Sequence, residues 1–591
     1  MHTFVSITFS RAGRLISALA VLALAGAAQT PTLTTLYNFT GGASGANPTA
    51  NVVFGANGSL FGTTPYGGNY PGKGIACQNS NGCGTVFELT PGTPWSESVL
   101  YSFQGGTDAA DGANPGAGLT AGKSGVFYGT TFAGGSTGNG TVFQLTPPKA
   151  PGDAWTETVL YSFAAGDATG LVNVTGTTAT LVSGTPFVTG ATWNGASIHI
   201  LNDSATNIFT VASVQSSTAL TLTAAPTSTQ CPAPCQGVGY LVNAAPPGPW
   251  AGWPDGSGPE GGVILLPSGK LYGTTSGGGS AGAGAVFQLT PPVGGTGPWT
   301  EEVIASIGGG KLGNGPQSGL AVVKGSLYGT TCCGQVGGTV YKLSPAGGGA
   351  WNKPATLYSF TAYDVGDGPF GGLAVDANGV LYGATTAGGP GGAGIVFSLT
   401  PPVTAGKPYT LTTIQAFSGA SSVGTVDSNG TTVTLVTGNQ FVTGTAWNGV
   451  PININGVKYT IASVASSTVL TLTAAAPTQT KVGYAVAAQS ADGGAPYGTV
   501  LLGSSGQLYV TVTSGCAYGV GGVLEFTPPA TKGGAWTETI LYSFTGGADG
   551  SQPYAGVTLN NGSLYGTTAF SAVLEGGIWV QEYGTVFELT P

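Results

Sequence analysis

Residues 540–591 read ILYSF (540–544), TGGADGSQP (545–553), YAGVTLNNGSLYGTT (554–568) and, after a loop, GTVFELTP (584–591). These phrases return along the whole chain. LYGTT or a variant recurs at Phe61, Tyr128, Tyr272, Tyr328, Tyr382, Tyr509 and Tyr565. The fifth copy reads as if Ala384 were inserted (LYGATT), and the sixth degrades to LYVTVT. VFxLTP follows at Phe87, Phe143, Phe287, Tyr341, Phe397, Phe526 and Phe587. A third phrase, WTExLYSF, is centred on Tyr101, Tyr161, Tyr358 and Tyr542, with divergent copies ending at Ile307 and Phe417. Self-similarity at a period of about 55 residues marks a repeat array.

Each copy offers four short β-prone runs, named here a (AGLxVD), b (LYGTT), c (GTVFELTP) and d (WTETVLYSF), separated by Asn-Gly, Asp-Gly and Pro-Pro turn signals. Four strands per repeat is the size of a propeller blade. Alternation in c puts Phe87 and Leu89 on one face and Val86 on the other, so both faces are partly apolar, as blades packed face to face require. The array opens with a lone d strand, TLTTLYNF (32–39), and ends on a c strand. The expected fold is therefore all-β: a seven-bladed β-propeller of four-stranded blades, closed by the N-terminal strand, which leaves no free edge. Two related Thr- and Val-rich stretches interrupt it, matching as GTTATLVSGTPFVTGATWNG and GTTVTLVTGNQFVTGTAWNG. The expected organisation is a signal peptide at 1–28, propeller at 29–169, 243–419 and 489–591, and inserted β domains at 170–242 and 420–488. Both inserts enter between a d strand and the next a strand, which predicts that they rise from one face, roughly 154° apart around a ring of seven.

Arg11 and Arg14 precede an apolar run, Leu15–Ala28, that ends in small residues and suits a secretory peptidase. Its removal leaves 12 lysines against 23 acids, so no basic patch exists for phosphate and nucleic acid is excluded as a partner. Charged residues make up 6% of the chain and hydrophobic ones 41%, with 106 glycines. Aromatics at fixed places in that mix indicate a packed core rather than disorder. Export favours oxidised cysteines. Cys77 with Cys83 and Cys231 with Cys235 can close small loops, adjacent Cys332 and Cys333 can form a strained vicinal bridge or remain thiols, and Cys516 is left over. Their spacing, with almost no histidine, is not a zinc pattern.

The phrases LYGTT, GTVFxLTP and WTExLYSF resemble the GloVer tandem repeats of exported bacterial proteins, a "choice-of-anchor" group. The resemblance covers nearly all of residues 33–591 outside the inserts. It implies a propeller at or outside the bacterial envelope, no known activity, and no functional residues to carry over. A C-terminal anchor of the kind the group's name refers to is not seen here.

Strand order sends the b–c and d–a loops to one face, and loops on a rigid scaffold are where function concentrates. Acids there are Asp108, Asp111, Asp255, Glu260, Asp364, Asp367, Asp492 and Asp549, mostly before Gly, as Asx-type turns use them. As ligands they would accept sugar hydroxyls or hold Ca²⁺, the one cofactor considered, although no full calcium loop is present. Trp250 and Trp253, outside the repeat pattern, are the aromatic candidates for stacking. Trp95, Trp155, Trp299, Trp351 and Trp536 each open a d strand, a regularity that indicates packing. GxSxG occurs at Gly134–Gly138 and Gly278–Gly282 but on no strand-to-helix elbow, and the mature chain keeps one histidine, His199, as a base. The expectation is an exported, noncatalytic, monomeric scaffold that binds a polysaccharide or a surface protein, with no membrane span after the signal is removed. Its rivals are a carbohydrate-active enzyme using the loop-face acids and a structural adhesion protein.

Overall fold

The computed structural model describes residues 30–591 except 70–81, 106–110, 137, 151, 164–166, 185–196, 203–204, 217, 226–237, 244–254, 296, 309, 335–336, 362–364, 405–406, 419–421, 439–440, 442–447, 450, 456, 487–492, 532 and 576–577. The described chain is all-β, built largely from four-stranded antiparallel sheets. Seven of these, one per repeat, share the order a–b–c–d. The first comprises Val53–Phe54, Leu60–Thr64, Thr85–Thr90 and Ser96–Ser102. In the last, Thr558–Asn560, Ser563–Thr568 and Thr585–Thr590 are joined by Thr32–Asn38 as strand d, with Leu33 opposite Leu589.

Consecutive sheets share apolar clusters. Phe61 and Val86 of the first sheet pack with Phe127, Phe143 and Leu145 of the second. Val142 and Phe163 pack with Leu271 and Phe287, and the pattern continues sheet by sheet. Phe39 and Val586 of the last sheet in turn pack with Val52, Leu60 and Phe87 of the first. The d-strand tryptophans pack on the preceding sheet's strand b, as Trp155 does on Phe61 (6.0 Å between centroids) and Trp351 on Tyr272 (5.7 Å).

Polar contacts follow the same cycle. The N–H before each repeat's first proline donates to the carbonyl just ahead of the preceding repeat's GTVF glycine. The pairs are Asn114 to Cys83, Gly258 to Asn139, Gly315 to Ala283, Gly368 to Gly337, Ala495 to Ala393 and Gln552 to Val520, at 2.8–2.9 Å. Asn47 completes the set on Tyr583 at 2.7 Å. The first threonine of LYGTT donates to the next repeat two residues past that proline: Thr63 to Ala117 (2.9 Å), Thr130 to Gly261 (3.1 Å), Thr274 to Ser318 (2.7 Å), Thr330 to Gly371 (3.2 Å), Thr511 to Ala555 (2.7 Å) and Thr567 to Ala50 (3.1 Å). The GTVF glycine has no alternative residue. Gly84 sits at φ 96°, and a Cβ there would lie 2.4 Å from the Thr64 carbonyl oxygen and 2.5 Å from Pro115.

Register corrects two readings of the repeat. Ala384 is a substitution and not an insertion: Gly383 faces Phe397 and Ala384 faces Val396, the places Gly62 and Thr63 hold against Phe87 and Val86. In the sixth repeat, Leu524 and not Phe526 stands at the phenylalanine position, because Val510 pairs with Leu524. Elsewhere a glycine makes room for that ring, as Gly62 does for Phe87, where an added Cβ would come within 2.5 Å. Both Val510 and Leu524 are buried, so a larger residue on strand b is matched by a smaller one on strand c.

In the first insert, strands Asp167–Thr175, Thr178–Gly184, Ala219–Leu222, Ala205–Ser216, Ser197–Asn202 and Val238–Asn243 close in that order into a barrel that overruns the expected bounds of 170–242 at both ends. Within 420–488, Ser422–Gly438, Val469–Val486, Pro451–Ile454 and Val457–Ser466 form one sheet around Val433, Ile452, Ile461 and Leu470.

The Val510–Leu524 match predicts a specific coupling. Leu524→Phe alone should overpack the site and cost about 1–3 kcal/mol. Adding Val510→Gly should restore most of that loss. Urea denaturation of both single variants and the double variant measures the coupling.

Candidate functional site

The residue after each repeat's proline is Thr49, Gly116, Glu260, Gln317, Phe370, Tyr497 or Tyr554, in chain order. All seven line one cavity of about 690 Å³. The flanking prolines and small residues repeat, whereas this position changes chemistry from copy to copy. The b–c loops add Pro65, Tyr66 and Phe132 to the wall, and Asn114 adds an amide. A further cavity of about 450 Å³ is lined by the same seven segments, including Ala50–Asn51, Ala117–Gly118 and Gly371–Gly372.

One side of the larger cavity is aromatic. Phe370 stacks on Tyr497 (centroids 5.2 Å apart, planes at 23°), and Tyr497 meets Tyr554 edge-on (5.2 Å, 75°). Tyr66 and Phe132 are exposed, at 42% and 46%. Glu260 and Gln317, from successive repeats, supply the polar side. Burial pushes the Glu260 carboxyl above the usual carboxylate range, against the opposing pull of hydrogen bonds from Ser276 and Gln317. Among the described lining residues there is no lysine or arginine; they offer stacking surfaces, hydroxyls, amides and one carboxylate.

Of the acids singled out in the sequence, Glu260 lines the cavity, and Asp111, Asp255, Asp367 and Asp549 are not among its described lining residues. Asp111 is buried and accepts from Tyr101 Oη (2.9 Å) and from the N–H groups of Gln104 (2.9 Å) and Gly105 (3.1 Å). Asp255 accepts from Tyr161 Oη (2.8 Å) and the Gly256 N–H (2.7 Å). Asp549 accepts from Tyr542 Oη (3.1 Å) and the Thr545 N–H (2.8 Å). These three carboxylates tie a d–a loop to the preceding d strand. Asp367 is half-buried, with its backbone bridged to Ala387. Asp108, Asp364, Asp492, Trp250 and Trp253 lie outside the described residues. Cys332 and Cys333 are joined in a vicinal disulfide, and Cys83 is disulfide-bonded. Cys77, Cys231 and Cys235 lie outside the described residues, and Cys516 is buried. Among the described residues no group of three or more His, Cys, Asp or Glu is assembled to hold a metal ion, and no helix is long and apolar enough to cross a membrane. Of the post-proline positions, Glu260 alone was singled out in the sequence, as a loop-face acid, and the other six were missed. Superposing the seven copies on that proline exposes them as the point where a fixed frame carries a variable residue.

A second set of acids sits inside the sheet interfaces. Glu97, Glu157 and Glu301, the glutamates of WTE-type phrases, each bury one carboxylate oxygen without a hydrogen-bond partner among the described residues. Burial raises Glu97 and Glu157 to about 7 and Glu301 to about 9, with the charge of Asp111 adding to the rise at Glu157 and that of Asp255 at Glu301.

The family model described as the Gloeobacter/Verrucomicrobia repeat matches residues 24–199 and 251–456. The chain belongs to this repeat family. No curated protein matches it. Among solved structures it is similar to phage phi92 endosialidase (14% identity, covering 90% of this chain and 79% of that one, TM-score 0.28). It is also similar to a Mycobacterium tuberculosis puromycin-hydrolysing peptidase (12%, 86% and 64%, 0.24) and to a protein assigned as a 6-phosphogluconolactonase from Bacteroides uniformis (12%, 67% and 99%, 0.26). Superposition at these scores supports no argument about activity.

The interface glutamates predict a pH dependence. Their folded pKa values lie above the unfolded value near 4.5, so the folded chain holds more protons between about pH 4.5 and 7–9, and stability falls as pH rises through that window. Thermal melts should therefore be higher at pH 5 than at pH 8, and Glu301→Gln should flatten the slope. A melting temperature that rises from pH 5 to pH 8 contradicts this assignment.

Proposed function

We propose that this chain is an exported, noncatalytic, seven-bladed β-propeller that holds an uncharged glycan at the mouth of its axial channel. The observation that carries the reading is the cavity to which each repeat contributes the residue after its proline, which changes chemistry from copy to copy. Closure of seven blades into a ring is supported by the cyclic hydrogen bonds that return from Thr567 to Ala50 and from Asn47 to Tyr583. It is further supported by a cavity lined from all seven repeats. The inserts at 170–242 and 420–488 are accessory β domains on this ring, and the segment 1–28 directs export.

A glycan fits the lining by chemistry. Sugar rings present apolar faces that stack on aromatic side chains, and their hydroxyls pair with amides and carboxylates. The described lining contains one carboxylate, Glu260, whereas glycoside hydrolysis commonly uses a pair flanking the bond. That supports binding over turnover. A net charge of -9 and described lining residues without lysine or arginine favour a neutral ligand over an anionic one.

The test is a glycan array probed with residues 29–591, alongside a hydrolysis screen on the same glycans. Binding to neutral glycans should fall at least about tenfold in Tyr497→Ala, whose ring is partly exposed and whose removal leaves the sheet bonds intact. Glu260→Gln should weaken binding less, because an amide keeps an acceptor. Hydrolysis of a bound glycan, abolished by Glu260→Gln, would make the protein an enzyme and overturn the noncatalytic reading.

A further inference from the structure

Beside the central cavity lies another of about 310 Å³, at the junction between the last repeat and the first. Tyr66 lines both cavities, so one ring forms the divide between them. The backbone that carries this ring is fixed, since the Tyr66 carbonyl accepts the Ala46 N–H and the Thr64 hydroxyl, both at 2.8 Å. The far wall is Tyr583, 44% exposed. Its ring lies over Gly41, where an added Cβ would sit 2.4 Å from the nearest ring atom. Between the two tyrosines the described lining is glycine and alanine, with Asn47 and Asn69 as the side-chain amides and, among the described residues, no ionisable group other than the two phenols.

The repeats supply an internal comparison. The carbonyl that Tyr583 presents to Asn47 is presented in the other six copies by Cys83, Asn139, Ala283, Gly337, Ala393 and Val520. An aromatic side chain at this place is therefore no requirement of the frame. The residue at the place of Tyr66 is small in most copies, as at Ala133, Ala387 and Ser514, and is aromatic again at Phe570, whose junction has Val520 at the place of Tyr583. Two exposed tyrosines thus stand at places that the architecture does not reserve for aromatics. They flank a narrow trough of backbone that opens beside a cavity already walled by aromatics.

We propose that this trough is an outer subsite continuing the axial one, so that the ligand is a neutral oligosaccharide chain and not a single terminal sugar. Phe370, Tyr497 and Tyr554 seat one part of the chain, Tyr66 bridges, and Tyr583 stacks a sugar farther along. Exposed glycine backbone admits a sugar ring closely and offers N–H and C=O groups to its hydroxyls. This inference rests on the glycan reading of the central cavity. The seam is where it applies, because no other junction carries this pair of rings.

The experiment measures affinity of residues 29–591 for ladders of cello-, xylo-, manno- and chito-oligosaccharides, from one to six sugars. Three variants are compared with the native protein. Tyr583→Ala removes the outer ring. Gly42→Asn obstructs the trough, since a Cβ at Gly42 meets no atom within 4 Å and asparagine tolerates its φ of 57°. Tyr497→Ala empties the inner site. The expected result is affinity that rises with length and then levels off. Tyr583→Ala and Gly42→Asn should each lower affinity for the longer sugars by about tenfold and leave the shortest bound ones unchanged, while Tyr497→Ala weakens all. Far-UV circular dichroism and thermal melts identify any variant that has lost its fold, and either trough variant suffices. Length-independent affinity, or trough variants with no effect on a ligand that Tyr497→Ala abolishes, overturns the outer subsite and leaves the central reading standing. Failure of every ladder to bind the native protein overturns both.

Discussion

Everything in this molecule depends on the short proline turn that begins each repeat. Its N–H ahead of the proline reaches back to the previous repeat, as Asn114 does to Cys83. The proline ring lies on the previous GTVF glycine, as Pro115 lies beside Gly84. Two residues past the proline, a carbonyl receives the previous LYGTT threonine, as Ala117 receives Thr63. One segment of about four residues therefore makes three attachments. Each buried hydrogen bond is worth only about 0.5–1.5 kcal/mol net. They act together because every donor left unpaired would bear a desolvation cost inside an apolar interface. The fifth repeat shows the tolerance of the scheme: Ala384 has no hydroxyl to give, and Thr499 of the next repeat instead accepts the Gly372 N–H at 3.1 Å.

That attachment leaves one residue of the turn without a structural duty. Its two neighbours are committed to the frame, while the residue between them faces the cavity. Diversity collects there: Thr49, Gly116, Glu260, Gln317, Phe370, Tyr497 and Tyr554 share a backbone position and little else. The aromatic members come from three successive repeats and the acid and amide from two others, so an arrangement built from seven copies has distinct sides. A rigid frame with variable chemistry at one point per unit is how repeat scaffolds commonly separate stability from recognition.

The fold was legible because its signal is repetition, and strands a to d read from LYGTT and GTVF align with the observed sheets. What the phrases concealed was register. VLEFTP resembles VFELTP closely enough to put Phe526 where Leu524 belongs, since two large apolar residues alternate in either order. LYGATT invited an insertion because the next residue is also threonine. The site was less legible. Asp-Gly pairs drew attention as hydroxyl acceptors, yet Asp111, Asp255 and Asp549 spend their carboxylates on tyrosines of the preceding strand, a partnership across 7 to 94 residues that spacing alone does not reveal. Conversely, Phe370, Tyr497 and Tyr554 look unremarkable one at a time and acquire meaning only when seven turns are superposed. Trp250 and Trp253, chosen for lying outside the pattern, had no such comparison to support them.

The pairing of Thr32–Asn38 with Thr585–Thr590 also sets an order of events. Strand d of the last sheet is the first part of the repeat array to be synthesised, and its partner is the last. Until Thr585–Thr590 has been made, the growing stack has an unpaired edge at each end, a condition that invites pairing between neighbouring molecules. The low charge of the sequence gives little repulsion to prevent it. A repeat array arranged in this way is exposed until Thr585–Thr590 has been made, and its yield in a cell should depend on how quickly that strand is delivered and on what shields Thr32–Asn38 while it waits.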